Sequence, residues 1–425
     1  MRILRIGSTG PAVQLLQLAL NRAGCGPLET DGIFGPLTEA ALRRFQSARG
    51  ILSDGVAGRE THRALLPWYT GSLLHRIEKG DTIATLAQRY GTTTEAIFLA
   101  NPEAVAENLR IGERLVIPLP FPVVPTSIDY SARLVELCLQ GLSMRYPFLE
   151  TGEIGHSVMG KPVRFLRLGR GENKVLYNAE HHANEWITTP LLLKFAEELC
   201  EAYTKKEKIF DQSAEDLLRY ASVTLIPAVN PDGLDLVTGE LRQGELFRGA
   251  EDIAEGWPDI PFPSGWKANI RGTDLNLQYP TGWQEAKEIK YALGVRGPAP
   301  TDYVGPAPLS APESRAMYDY TLALSPCLTI SWHTQGEEIY WRYGECEPEG
   351  AKKIGRLFAK LSGYRLADPE AESANAGYKD WFIDAFDRPG FTVEAGRGDN
   401  PLPLSDFDEL YAKNLPILVY GALVT

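Results

Sequence analysis

His182 and Glu185 stand three positions apart, His333 follows 148 positions after Glu185, and Glu394 comes later still. At H-x-x-E spacing, one loop can offer an imidazole and a carboxylate to a metal, and a second histidine can complete the set. Two histidines and a glutamate, with one position left for water, make a catalytic zinc shell. A further carboxylate such as Glu394 could then carry the proton of an attacking water. The spacing alone is a weak signal, because a surface turn produces it too. A lone histidine is likewise more often hydrogen-bonded within a core. The chain has only six histidines, however, and three of them (His181, His182 and His333) fall at the ends of strand-like stretches.

Those stretches must position the chemistry. Residues 174–179, 222–228, 327–332 and 390–394 read as apolar strands, and 190–203 as a helix with proline in its first turn. Strands alternating with helices predict an α/β domain with a mixed, mostly parallel sheet and flanking helices. In open sheets of that kind, ligands bind beyond the C-terminal strand ends. The candidate residues cluster at those ends.

Composition narrows the function further. The chain has 425 residues, 44% hydrophobic and 23% charged, which excludes a disordered, collagen-like or coiled-coil protein. A net charge of −12 argues against a nucleic-acid partner held through phosphates. Residues 1–120 carry 13 Lys/Arg against 11 Asp/Glu, net +2, which leaves 30 against 44 for 121–425, net −14. No apolar run reaches the roughly 20 residues of a membrane span. The five cysteines are scattered without CxxC spacing, against both a disulfide framework and a thiolate metal site. The first residues lack the apolar stretch of a secretory signal, so the protein is expected either to act without classical export or to be a processed form.

Two small modules are expected at the front. Asp31-Gly-Ile-Phe-Gly returns as Asp54-Gly-Val-Ala-Gly, and each copy leads into a helix with Thr38 or Thr61 near its start. Gly7, Gly10, Val13, Leu16, Gln17, the two Asp-Gly turns and Phe45-Gln46 together resemble the peptidoglycan-binding domain family of three-helix modules. Residues 73–119 then read as βααβ. Lys79-Gly-Asp-Thr82, Asn101-Pro102 and the stretch 109–118 make this unit similar to a LysM module. That resemblance implies recognition of N-acetylglucosamine-containing glycan. Three prolines within 119–127 suggest a semi-rigid linker. The expected division is a three-helix module over 1–68, a LysM module over 72–119, a linker over 120–127 and a large domain over 128–425.

In the large domain, Glu180-His-His-Ala-Asn-Glu-Trp186, Asn230-Pro-Asp-Gly233, Asp274-Leu-Asn276, Ser331-Trp-His-Thr334 and Phe391-Thr-Val-Glu394 occur in that order. Together they resemble the zinc carboxypeptidase family over about 130–420. The resemblance implies one zinc ion held by His182, Glu185 and His333. It makes Glu394 the carboxylate that acts as general base and then acid. It makes Arg271 the cation that polarises the scissile carbonyl, with Lys267 as the alternative. His181 has no counterpart and reads as structural.

The departures from the family bear on substrate. An Asn-Arg pair in the family clamps the substrate's terminal carboxylate; here Asn276 is followed by Leu277, and leucine offers no bidentate fork. The family's mobile tyrosine would fall near Glu372-Ser373, where there is none, and Tyr378 is out of register. The position before Asp380-Trp381 lines the pocket for the leaving side chain in the family. Here it is Lys379, which suits an anionic end such as that of diaminopimelate. With two wall-binding modules on the same chain, the sequence resembles the γ-D-glutamyl-L-diamino acid endopeptidase branch. The expected activity is zinc-dependent hydrolysis of peptidoglycan stem peptides, at the wall or in a spore setting, with action on cytoplasmic muropeptides left open. A broad metallocarboxypeptidase and a non-catalytic wall-binding protein are the alternatives.

Overall fold

In the computed structural model, which describes residues 2–105, 109–368 and 375–424, the front of the chain folds around two buried glutamines. Helices α1 (Pro11–Arg22), α2 (Pro36–Ala48) and α3 (Arg59–Thr70) are joined by the two Asp-Gly turns. Gln17 donates to the Asp31 carboxylate (2.7 Å), the Ile33 carbonyl (3.1 Å) and the Thr38 hydroxyl (3.2 Å), and accepts from the Gly32 amide (3.0 Å). Gln46 repeats the pattern with Asp54 (2.9 Å), Val56 (3.0 Å), Thr61 (3.2 Å) and Gly55 (2.9 Å). The sequence repeat is therefore one hydrogen-bond device used twice: an amide side chain satisfies the turn that precedes the next helix. Replacing Gln46 by alanine leaves buried turn groups without partners, which costs about 1–3 kcal/mol. A urea melt of the Gln46→Ala protein should show that loss in the front unit, with zinc content unchanged.

The second module is a two-stranded antiparallel sheet, β1 (Ser72–Arg76) with β2 (Arg114–Pro118), packed on α4 (Ile83–Tyr90) and α5 (Thr94–Ala100). This is the expected βααβ order. Ile83, Leu86, Ile97, Leu115 and Ile117 form its core. Thr82 caps α4 in a reciprocal capping box with Thr85, and Gly91 ends the helix in the left-handed conformation. Asn101 accepts from the Val116 amide (2.8 Å) and donates to the Ile97 and Val116 carbonyls (2.7 Å each), which ties α5 to β2.

The chain forms two compact units, one of 1–129 with 133–150 and the other of 130–132 with 151–425. In the first, Val123 and Val124 of the proline-rich stretch are buried, and α6 (Ala132–Arg145) follows it. Arg145 donates to the carbonyls of Gly71 (2.8 Å), Leu119 (3.0 Å) and Phe121 (3.0 Å). A β-carbon on Gly141 would lie 2.1 Å from the Thr70 carbonyl oxygen, so glycine permits the approach of α6 there.

The second unit is built on an eight-stranded sheet. Its strands are β3 (Glu150–His156), β4 (Pro162–Leu168), β5 (Asn173–Ala179), β8 (Ala221–Ile226), β9 (Leu328–His333), β10 (Glu338–Tyr340), β11 (Arg365–Ala367) and β12 (Gly390–Glu394), in the order β11-β10-β12-β9-β5-β8-β4-β3. A separate hairpin pairs β6 (Lys208–Ile209) with β7 (Gln212–Ser213). The four central strands, β12, β9, β5 and β8, are mutually parallel, whereas β10 and β4 run antiparallel to their inner neighbours. This is the mixed, mostly parallel sheet expected from the sequence. Helices α7 (Thr188–Lys205), α8 (Ala214–Tyr220), α9 (Pro231–Val237), α10 (Glu245–Glu255), α11 (Trp283–Ala292), α12 (Pro312–Leu324), α13 (Ala351–Ser362), α14 (Tyr378–Phe386) and α15 (Phe407–Gly421) flank it.

Val175 to Ala179 of β5 are fully buried, as a strand covered on both faces must be. Leu176 faces a core that includes Met317 and Leu324 of α12 and Tyr378, Trp381 and Phe382 of α14. Its neighbour Tyr177 points the other way, donating to the Leu418 carbonyl of α15 (3.0 Å) and meeting Trp332 edge-on. Trp332 in turn donates to Asn414 of α15 (3.0 Å).

Candidate metal centre

The parallel register brings three strand ends together. Ala179 of β5 lies beside Trp332 of β9, and His333 lies beside Glu394 of β12. Beyond β5 the chain turns at Glu180, whose φ is +59°, and a single 3₁₀ turn, Ala183–Glu185, begins at His182. That turn puts His182 and Glu185 on one side. Thr188 closes it by donating to the Glu185 carbonyl (2.7 Å) at the start of α7. His333, the last residue of β9, arrives from the adjacent strand.

Ligand atoms of His182, Glu185 and His333 all lie within 4.8 Å of one another, and all three residues are buried. Nδ1 of His182 is 2.9 Å from Glu185 Oε1, Nδ1 of His333 is 2.9 Å from Glu185 Oε2, and the two Nδ1 atoms are 3.2 Å apart. Donors about 2.0–2.1 Å from one tetrahedral ion would lie ~3.3 Å apart. Two ring nitrogens facing one another beside a carboxylate thus fit a zinc ion. The other nitrogen of His182, Nε2, sits 3.2 Å from Asp274 Oδ1, a carboxylate that fixes the ring and leaves Nδ1 for the metal.

Asp274 is itself held by the amides of Asn276 (3.0 Å) and Asp302 (3.3 Å). Asn230, which begins α9, accepts from the Gly233 amide (3.0 Å) and donates to the carbonyls of His181 (3.3 Å) and Ala268 (3.1 Å). It therefore ties the histidine loop to the 266–274 loop. His181 turns into the core, where it stacks on His333 and hydrogen-bonds the Tyr279 hydroxyl at 3.0 Å.

The charges are strongly coupled. Burial alone would raise the Glu185 carboxyl, yet His182, Lys267 and His333 hold it well below its usual range. Burial works to lower His182, but the Glu185 and Asp274 carboxylates outweigh it and lift the imidazole to about 9. For His333, burial outweighs Glu185 and keeps the ring neutral. Burial pushes Glu394 up to about 8, with the nearby Glu185 adding to the shift and Lys267 and His182 opposing it.

A cavity of about 180 Å³ opens on this cluster. Glu394, Lys267, Asn276, Leu277 and Lys379 all line it. Lys267 Nζ is 3.5 Å from Glu185 Oε1. Its backbone is fixed on both sides, accepting from the Ala183 amide (2.9 Å) and donating to the Pro300 carbonyl (2.9 Å). Arg271 is not brought here. It is exposed and lines a separate cavity with Asn269, Thr273 and Tyr303. Lys379 is buried and donates to the Arg342 carbonyl (2.7 Å) and to its neighbour Asp380. Asn276 accepts from the Tyr378 amide (3.0 Å). Tyr378 is buried, its hydroxyl 3.0 Å from that of Thr321, and takes no part in the cavity. Glu372-Ser373 lie outside the described residues.

The zinc carboxypeptidase family model matches residues 135–415, about two thirds of the chain. The chain belongs to the zinc carboxypeptidase family. As in that family, it is a zinc metallopeptidase with one zinc, at His182, Glu185 and His333. Models of the peptidoglycan binding domain and the LysM domain match 9–65 and 75–118, so the zinc carboxypeptidase carries wall-binding modules and associates with the cell wall. Among its relatives is gamma-D-glutamyl-L-diamino acid endopeptidase 1 of Lysinibacillus sphaericus, 40% identical over 69% of this chain and 72% of that one. The Bacillus subtilis protein YqgT is 39% identical over 68% and 76%. The carboxypeptidase A of Helicoverpa armigera shares the fold, with a TM-score of 0.52 at 18% identity, over 80% of this chain and 78% of that one. None of the described helices is long and apolar enough to cross a membrane.

Proposed function

We propose that the protein hydrolyses peptidoglycan stem peptides at the bond between γ-D-glutamate and the diamino acid, with its front modules holding it on the wall. The observation that carries this reading is Lys379, a buried cation in the cavity beside the metal residues. It stands where an anionic side-chain end of the leaving residue would need a partner. The 40% relative named for that activity supports the reading. Two weak wall-binding modules in series raise the local substrate concentration without tight individual sites.

Zinc, when bound, supplies a Lewis acid and a water of lowered pKa. Glu394 takes the proton of the attacking water on its carboxylate and later hands it to the leaving amine. Lys267, in the place first expected for Arg271, presents its ammonium to the oxygen that gains charge. Removing a donor of that kind commonly costs a few kcal/mol in the transition state. Asp274 positions His182. Asn276 borders the substrate, and Lys379 meets the distal carboxylate of diaminopimelate.

Incubation with L-Ala-γ-D-Glu-diaminopimelate should release free diaminopimelate, identified by mass. The lysine-containing peptide should be cut at least tenfold more slowly, because it has no distal carboxylate. The Lys379→Ala variant should erase that preference. An untouched stem peptide alongside cleaved hippuryl-type substrates would instead support a broad carboxypeptidase.

A further inference from the structure

Position 277 carries no cation, and a lysine lines the same cavity from another element. Leu277 packs with Trp283 and Ala286 of α11 and with Val304. One helical turn beyond Ala286, on the same face, Lys290 reaches the cavity that Leu277 also lines. It is 9% exposed, and its ammonium pairs with Asp302 Oδ1 at 2.7 Å. An ammonium has three N–H donors, so one carboxylate does not exhaust it. Asp302 is 39% exposed and can keep part of its hydration while sharing the lysine.

We propose that Lys290 binds the free α-carboxylate of the leaving residue, in place of an arginine after Asn276, so that stems ending at the diamino acid are preferred. This rests on the peptidase reading above but assigns a different subsite from Lys379. Leu277 is then an apolar wall that directs the lysine stem into the cavity rather than a defect. The cation is a compact point charge on a flexible stem, not a planar fork. It can therefore accept a carboxylate at more than one angle, which suits a leaving residue that itself has two carboxylates.

The test is calorimetric binding to the zinc-loaded full chain, independent of turnover. Diaminopimelate, lysine and leucine are each titrated as the free acid and as the α-amide. The wild-type protein should bind at least one acid tenfold or more tighter than its amide. Lys290→Met should reduce that ratio below threefold, Lys290→Arg should retain most of it, and Asp302→Asn, which frees the ammonium, should increase it. A wild-type ratio near one for every pair would overturn the proposal, as would an unchanged ratio in a folded Lys290→Met protein. If that variant does not fold, a ratio unaltered by Asp302→Asn is equally fatal. Failure of the stem-peptide reading shows separately, as no cleavage of the γ-D-glutamyl bond despite an intact acid preference.

Discussion

Replacing Glu394 by glutamine should lower kcat by about 10²–10⁴-fold, the range of a general acid–base contribution, while zinc content stays at one per chain. The change keeps the shape of a partly buried side chain at the end of β12, beside His333. It removes only the ability to hold a proton. In the metal-free protein, burial and the neighbouring Glu185 put the Glu394 carboxyl at about 8. A dication held by His182, Glu185 and His333 opposes that shift and favours the carboxylate, the form a base needs. Activity of the wild-type enzyme should therefore rise with pH through an acid limb, and that limb should be missing from the residual activity of Glu394→Gln. Turnover within tenfold of wild type would remove Glu394 from proton transfer. Loss of zinc in the variant would assign it to holding the metal instead.

Much of this centre was legible in the sequence because it sits on structure that sequence patterns report well. The four central strands are short, apolar and buried on both faces, so their ends could be located within two residues. Those ends are where a parallel sheet exposes chemistry. The paired Asp-Gly turns were visible as a repeat, although the role of Gln17 and Gln46 in satisfying them was not. The outer strands left less trace. β10 and β11 are three residues each, and β3 alternates weakly because none of its residues is fully buried.

The cation proposed to polarise the carbonyl was harder to place for a different reason. Lys267 and Arg271 lie four residues apart in one loop, and nothing local separates them. The choice is made by backbone pairing of that loop with 183 and 300, which holds Lys267 beside Glu185 and turns Arg271 outward. Asp274 was part of a noted motif, yet its contact with His182 spans 92 positions. Lys290 had no motif at all; on an amphipathic helix a lysine is ordinarily a solvated residue, and only the packing of α11 against Leu277 shows otherwise.

Chelating the zinc should destabilise the large unit, and the loss should grow as the pH rises from 6 to 9. At zinc a thousandfold above Kd the bound ion contributes roughly 4 kcal/mol, about 10 °C in Tm for a domain of this size. The pH trend follows from two groups. His182, lifted to about 9 by Glu185 and Asp274 against the effect of burial, has a folded pKa above its unfolded value. The stability it gives the metal-free protein is present at low pH and lost as pH climbs through 9. Glu394, raised to about 8, also binds its proton more tightly when folded, so the metal-free fold weakens from the ordinary carboxylate range up to about 8. Glu185 and Asp274 are depressed, so their stabilising effect is constant across this window and is lost only under acid conditions. His333 is held neutral by burial and contributes nothing to the slope above its ordinary pKa. Zinc needs the neutral imidazole of His182 and so displaces at least one proton, which raises apparent affinity about tenfold per pH unit below 9. Because zinc displaces the proton that the metal-free fold holds, the gap in Tm between loaded and chelated protein widens as pH increases. Thermal melts of the two forms at pH 6, 7, 8 and 9 measure it directly. A constant or narrowing gap would mean that the His182 proton is not the one zinc displaces.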